Sequence, residues 1–404
     1  MTPSQPLLCS AVAKPRFGFA ILALGTWFLA TQSLAAQTAG MSYTNVHLPK
    51  VPWSIHIVRF DRQDPAFAVH SAHAEGKAVG MDPLIAQVKR LDPKLGVPVA
   101  AINGDFYQRD RAYAGDPRGL QIAAGELISA PTGGVAFWIA PGGSPHVANV
   151  ASRFQIVWPD NSKYAFGLNS ERPADGAVLY TPAVGQSTRT TSGREFVLEQ
   201  LPGTAWRPLR VAETYRARVR EVRDQGDTPL APDTLVLSIG PKLAPALPKI
   251  EPGAVLEIST ACLPDLRGAT TAIGGGPVLV RRARRQRIEP PSLGSYAFSS
   301  MRERHPRSAI GWNDSQFFLV EVDGRQEGLS AGMTLEALSA YLADLGCEEA
   351  MNLDGGGSAT LWFEGQVRNS PCDGQDRPIA NSLIVVRNSD VRAPAAASAG
   401  QASK

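Results

Sequence analysis

The chain has 404 residues, 44% hydrophobic and 19% charged, with 38 glycines and 32 prolines. That is the make-up of a globular protein, which excludes a coiled coil, a wholly disordered chain and a polytopic membrane protein; the length allows one large domain with additions or two modest ones. A formal net charge of only +3 is a small excess for a chain that grips nucleic-acid phosphates, so no nucleic-acid partner is expected.

At the N-terminus, Lys14 and Arg16 precede an apolar run from Phe17 to Ala30, and small residues Ser33, Ala35 and Ala36 follow. These are the parts of a secretory signal over residues 1–36, cleaved after Ala35 or Ala36, which implies a periplasmic or secreted protein. The run is shorter than the ~20 residues of a spanning helix, so no stable membrane insertion is expected after cleavage. Removing Lys14 and Arg16 leaves the chain close to neutral, and Cys9 goes with them. Of the cysteines that remain, Cys347 and Cys372 flank a glycine-rich motif, and in an oxidising compartment they are expected to pair, leaving Cys262 free and buried. Three unpaired cysteines are the alternative, because spacing alone does not fix connectivity.

Further along, short apolar runs separated by Gly, Pro, Asn and Asp mark strands at residues 97–102, 135–139, 154–158, 234–239, 254–258, 277–280, 317–322 and 383–386. Two helices are legible. In one, Asp82 caps, Pro83 takes the first turn, and Leu84, Val88 and Leu91 form the stripe. In the other, Thr334 caps, Leu335, Leu338, Leu342 and Leu345 share a face, and Gly346 ends it. Many strands and few helices predict an α+β fold, a mixed and mostly antiparallel β-sheet core with a few helices packed against it. Residues 37–94 read as a β-rich entry segment and 389–404 as a disordered tail. The five arginines between Arg281 and Arg287 read first as a solvated loop and second as a surface for an anionic polymer. Oligomeric state is not legible.

Familiar catalytic signatures are missing. There is no phosphate loop, Leu279 stands where a dinucleotide motif needs its third glycine, and Thr360 breaks the nucleophile-elbow pattern. His70 and His73 fall on opposite faces of an extended strand, which disfavours a histidine-rich zinc site; no metal and no cofactor are expected, with a divalent ion left open. What remains is polar residues packed beside glycines. Asn352-Leu353-Asp354-Gly355-Gly356-Gly357-Ser358 follows the second helix and precedes a strand at 359–363. Such a run survives where the chain turns tightly or brings bare N–H groups to a ligand, and successive N–H groups can hollow out an anion site. Gly274, Gly275 and Gly276 could form the opposite wall. The alternative is two tight connections, with Asp354 capping its own turn. Arg307 and Arg377, each at a strand end, offer planar forks that suit a phosphate.

Asn103-Gly104-Asp105-Phe106-Tyr107, Gly274-Gly275-Gly276-Pro277, Arg307-Ser308-Ala309-Ile310-Gly311 and Asn352 to Thr360, in that order, resemble the phosphodiester glycosidase family over about residues 95–388. The animal member, the uncovering enzyme, removes N-acetylglucosamine from a phosphodiester on mannose. The resemblance implies an α+β catalytic domain and site positions Asn103, Phe106, Arg307, Asn352, Asp354, Gly355, Gly356, Gly357 and Ser358. Asp105 stands where the animal sequence has glycine, so a role for it rests on this chain alone. The animal protein's cysteine-rich additions are not seen in this sequence.

The implied chemistry is cleavage of a sugar-1-phosphodiester at the anomeric carbon–oxygen bond, on an envelope or extracellular glycan. Phosphate departs more readily than an alcohol, so Arg307, Arg377 and glycine N–H groups take over much of a general acid's work. Asp354 is the first acid and Asp105 the second. Asn103, Asn352 and Asn381 hold sugar hydroxyls or the acid, and Gly275, Gly276 and Ser308 complete the lining. Two other readings stay open: a noncatalytic module that binds anionic glycans, and a metal-assisted phosphodiesterase that cuts the phosphorus–oxygen bond.

Overall fold

The computed structural model describes residues 31–32, 36–38, 40–110, 112–203, 205–288 and 298–388. The apolar run of the expected signal and the expected tail therefore lie outside the described residues. Strand accounts for 42% and helix for 10% of the structure, so the fold is more β-rich than an α+β description conveys.

Two antiparallel sheets face each other. In the first, Met41–Leu48, Trp53–Asp61, Gln316–Val322, Arg307–Trp312, Glu349–Asn352, Val278–Arg281 and Arg284–Arg285 lie side by side. In the second the order is Gln366–Val367, Leu361–Phe363, Val97–Asn103, Asn381–Arg387 and Phe67–His73. Period-two alternation divides their side chains between layers. Val58, Ile310 and Leu319 of one sheet meet Ile102, Leu383 and Val385 of the other in a common core. The residues that alternate with them, Ala309, Phe318 and Val320, turn outward to the helix Leu335–Asp344. On the far side, Ala101, Ile384 and Val386 receive Leu84 and Val88 of the helix Leu84–Arg90. Each long helix thus covers the outer face of one sheet.

A third sheet, ordered Pro145–Asn149, Val135–Ile139, Thr271–Gly275, Gln121–Ala123 and Glu126–Ser129, adds Phe137 and Ile273 to the central core. It leads into an eight-stranded sheet built from residues between Gln155 and Ser259, with its own core around Trp158, Phe196, Leu237 and Trp206.

The second helix is capped as its sequence specifies, with Ala337 N donating to Thr334 Oγ1 at 3.1 Å and Gly346 at φ 95° beyond its end. The first is not. Pro83 occupies its N-cap position without a side-chain bond, because the Asp82 carboxylate accepts from Glu75 N at 2.8 Å and Arg90 Nη2 at 3.0 Å instead. The short helix Phe298–Arg302 had no periodic signal to announce it. The strand Glu349–Asn352 also intervenes between the second helix and the glycine motif.

The arginine run forms a hairpin, not a plain loop. Val280 pairs with Arg285 and Arg281 with Arg284, across a turn in which Arg282 and Ala283 have φ 50° and 60°, the backbone that a two-residue hairpin turn requires.

The expected disulfide is absent. Cys347 is 1% exposed in the apolar layer under the helix Leu335–Asp344, whereas Cys372 lies in a surface loop beside Asp373; both thiols are free, as is buried Cys262. The apolar layer holds Cys347 as a small hydrophobe, and burial pushes its thiol up to about 12.

Candidate functional site

Strand ends from all three packed sheets converge at one place. Val97–Asn103 ends where Asn381–Arg387 begins, with Asn103 opposite Ser382. Arg307–Trp312 starts beside the end of Glu349–Asn352, with Ala309 opposite Asn352. Thr271–Gly275 finishes against the same corner, where Gly276 N donates to Asn352 O at 2.7 Å. The sheets are stitched together there by Asp354 N to Gly104 O at 2.9 Å and Leu353 N to Ser308 O at 2.8 Å. Four sequence motifs, separated by up to 250 residues, therefore form one structure.

Buried amides hold it. Asn103 is fully buried; its Nδ2 donates to Asp354 O at 2.7 Å, and its Oδ1 accepts from Ser308 Oγ at 2.6 Å and Thr360 N at 3.1 Å. Asn381 Oδ1 accepts from Asp105 N at 2.8 Å, and its Nδ2 donates to Gln121. Asn352 Nδ2 donates to Gly276 O at 2.9 Å, which clamps the two glycine motifs together. Asn103, Ser308 and Asn381 thus spend their polar atoms on the scaffold and on the segments that carry the acids.

The acids share the site. Asp105 is 4% exposed and accepts from Gly119 N at 2.7 Å and Phe106 N at 2.8 Å. Burial pushes it up to about 7, against the pull of those two N–H groups; the charge of Asp354 raises it further, while Arg118 opposes. Asp354 is half-buried and accepts from Gly355 N at 2.9 Å. Its carboxyl is pushed up to about 6 by desolvation, held back by the Ser358 hydroxyl, Gly355 N, Arg377 and Arg109. Two carboxyls that feel each other with values near neutrality form a pair in which one can keep its proton while the other is ionised.

Guanidinium groups gather on the same side. Arg307 is 6% exposed and donates Nε to Met333 O at 2.9 Å and Nη2 to Ser300 O and Glu303 O at 2.6 and 2.9 Å. Burial, with Arg325 close by, lowers it to about 10, and Asp354 acts in the opposite sense. Arg377 donates to Asp373 Oδ2 through Nε at 2.8 Å and Nη2 at 2.5 Å. Phe106 is half-buried at the rim.

The glycines make room. A Cβ on Gly274 would strike the Asp105 carboxylate, one on Gly275 would sit 2.7 Å from Asn352 O, and one on Gly357 would strike the Arg377 guanidinium and Asp373. Gly356 N donates to Pro306 O at 2.9 Å, which ties the loop to the segment before Arg307. Ser358 is 1% exposed, and its hydroxyl hydrogen-bonds the Asp354 carboxylate.

Arg109, Arg118 and Arg325 went unsingled in the sequence. Arg109 follows the Asn103–Tyr107 motif closely, and its charge reaches Asp354; Arg118 precedes the Gly119 N–H that holds Asp105. Arg325, with φ 57°, donates Nε to His305 Nδ1 at 3.2 Å and would stand 3.2 Å from a Cβ on Gly356. The only available signal was an arginine next to a glycine in Gly324-Arg325.

Beyond Arg118 opens a cavity of about 460 Å3, lined in part by Gln108, Asp116, Arg118, Thr132, Ser170 and Glu171. Neither Asp105 nor Asp354 lines it. Burial, with Glu171 nearby, pushes Asp116 up to about 7. No helix among the described residues is long and apolar enough to cross a membrane.

Comparison with known proteins places these features. A 120-residue stretch is 30% identical to the SPbeta prophage-derived uncharacterized protein YomE of Bacillus subtilis strain 168, covering 30% of this chain and 18% of that protein. This chain therefore spans less than a fifth of that relative. A hypothetical protein from Synechocystis shares the fold at a TM-score of 0.69 and 22% identity, over 87% of this chain and 63% of that one. A Burkholderia pseudomallei K96243 protein labelled as exported does so at 0.63 and 20%, over 85% and 74%. The catalytic domain of zebrafish N-acetylglucosamine-1-phosphodiester alpha-N-acetylglucosaminidase, auto-inhibited by its pro-peptide, aligns at a TM-score of 0.44 and 15% identity over 89% and 88%. The phosphodiester glycosidase family model matches residues 219–386, the part that carries Gly274–Gly276, Arg307, Asp354 and Asn381, and over these residues the chain is similar to the phosphodiester glycosidase family.

Proposed function

We propose that the chain is an exported hydrolase that cleaves a sugar-1-phosphodiester of an envelope or extracellular glycan between the anomeric carbon and the bridging oxygen. The products are a sugar and a phosphomonoester. The observation that carries this reading is the meeting of Asp354 and Asp105 with Arg109, Arg307 and Arg377 around one glycine loop. Departure of the phosphate leaves positive charge on the ring carbon and negative charge on phosphate oxygen. Asp354, half-buried and ionised above about pH 6, is placed to stabilise the carbon or to orient water. Asp105, pushed up to about 7, is suited to hold or return the proton. Arg377 meets the departing phosphate, while Arg307, with its Nε and Nη2 donors committed to carbonyls, contributes Nη1 and a fixed positive field. Export is supported by the signal-like N-terminus.

The test is hydrolysis of a sugar-1-phosphodiester in oxygen-18 water. The wild type should release a reducing sugar and a phosphomonoester with the label in the sugar. Asp354→Asn, checked for folding by circular dichroism, should abolish turnover; full activity in that variant overturns the reading. Label in the phosphate would instead assign phosphorus–oxygen cleavage, and salt-sensitive retention on an anionic glycan without turnover would assign a binding module.

A further inference from the structure

Away from the acids and the glycine loop, the first sheet buries three ligand-type side chains together. Glu321 on Gln316–Val322 stands directly opposite His56 on Trp53–Asp61. Asp323, two residues further on, returns to the same face as Glu321. His56, Glu321 and Asp323 are 5%, 0% and 1% exposed, and one ligand atom from each lies within 4.8 Å of the others.

Two of the three are already oriented from behind. Asp323 Oδ2 lies 2.8 Å from His56 Nε2, and its Oδ1 accepts from Ser370 N at 2.7 Å. The far ring nitrogen, His56 Nδ1, is 2.8 Å from Tyr43 Oη. Metal-binding imidazoles and carboxylates are usually held by such outer partners; the His56 Nε2 and Asp323 Oδ2 atoms hydrogen-bond each other, and an ion would replace that bond, with the imidazole proton carried on Nδ1 towards Tyr43 Oη. Glu321 is the anomaly. Both of its carboxylate oxygens are buried without a hydrogen-bond partner. A polar group within its reach is the Asn369 amide, which gives one of its two N–H donors to Ala359 O and whose proximity favours the charged form of Glu321. Burying a carboxylate without compensation costs several kcal/mol, and a cation between Glu321 and Asp323 removes that cost.

We propose that His56, Glu321 and Asp323 bind one divalent first-row transition-metal ion, Zn2+ or Mn2+, at this buried position. A neutral imidazole and two carboxylates cancel the charge of a divalent ion, which is what a buried site requires. Mixed nitrogen and oxygen donors suit Zn2+ or Mn2+, whereas Ca2+ takes six to eight oxygen ligands and Mg2+ a near-ideal octahedron that keeps several waters. The site ties Asp323 to the Ser370 segment and so braces the base of Arg325, without touching the acids. It stands independently of the proposed hydrolysis.

Full-length protein stripped with a chelator and titrated separately with Zn2+, Mn2+ and Ca2+ by calorimetry tests it, with thermal unfolding as the second readout. One equivalent of Zn2+ or Mn2+ should bind and raise the unfolding temperature. Glu321→Gln and Asp323→Asn should each weaken binding about tenfold or more; if a variant does not fold, the wild-type titration decides. The proposal is overturned if neither transition-metal ion binds at up to about 1 mM, which would mean that Glu321 is simply held protonated. It is also overturned if Ca2+ binds as tightly, or if both variants bind like the wild type.

Discussion

Asp105→Asn offers the sharpest test of the site's electrostatics. In the folded protein burial pushes the Asp105 carboxyl from an ordinary 3.8 up to about 7, so the folded state holds that proton more tightly than the unfolded chain does. Its contribution to stability is therefore full on the acid side, below the unfolded value, and falls as pH rises through about 4 towards 7. At about 1.4 kcal/mol per unit, the loss between about pH 4 and pH 7 is roughly 3 kcal/mol. Asparagine keeps the shape and removes the ionisation. Its oxygen can still accept one of the two N–H groups, from Phe106 or Gly119, but its amide must face the other donor, a mismatch of about 1–3 kcal/mol. The variant should thus be the less stable protein near pH 4 and close the gap, or reverse it, by pH 7. Urea unfolding of both proteins at the two pH values measures this directly as a difference of differences, in which raised carboxyls outside the Asp105–Asp354 pair cancel. If that difference is flat across the interval, Asp105 is already ionised in the folded protein and cannot serve as the proton-holding member of the pair.

Other outcomes can be checked one by one. Gly357→Ala should destabilise by about 1–3 kcal/mol in thermal unfolding, because its Cβ meets Arg377 and Asp373; in an Arg377→Ala background the cost should shrink, a coupling that a double-mutant cycle reads. Thr334→Ala removes the bond to Ala337 N and should cost about 1 kcal/mol in denaturant unfolding. Cys262, Cys347 and Cys372 should all be alkylated in denaturant without a reductant, as measured by intact mass, since all three are free.

How much of this was legible beforehand depended on distance along the chain. Strands such as Val135–Ile139 and Thr234–Ile239 announce themselves by apolar runs, and the helix Leu335–Asp344 by period and cap. Asp82 misled because a residue that can cap can also be drawn elsewhere, and only the fold brings Glu75 N and Arg90 to it. The Cys347–Cys372 pairing failed for the same reason: flanking a motif says nothing about which side of a sheet each thiol takes. The four glycine and arginine motifs were visible because each keeps its unusual residues contiguous. By contrast, nothing local marks His56 as a neighbour of Glu321 and Asp323, which join it only through strand register.

The structure also changes what the glycines mean. Contiguous glycines suggested bare N–H groups aimed at an anion, yet Gly355 N serves the Asp354 carboxylate, Gly356 N serves Pro306 O and Gly276 N serves Asn352 O. Those donors are committed to the scaffold. What the missing side chains provide is proximity: Asp105 fits against Gly274, Arg377 against Gly357, and Arg325 beside Gly356. Negative charge arriving at this corner would therefore be met by side-chain guanidiniums more than by a backbone hollow. Affinity for an anionic ligand should then respond to single arginine substitutions and to ionic strength, as rows of fixed amide dipoles would not.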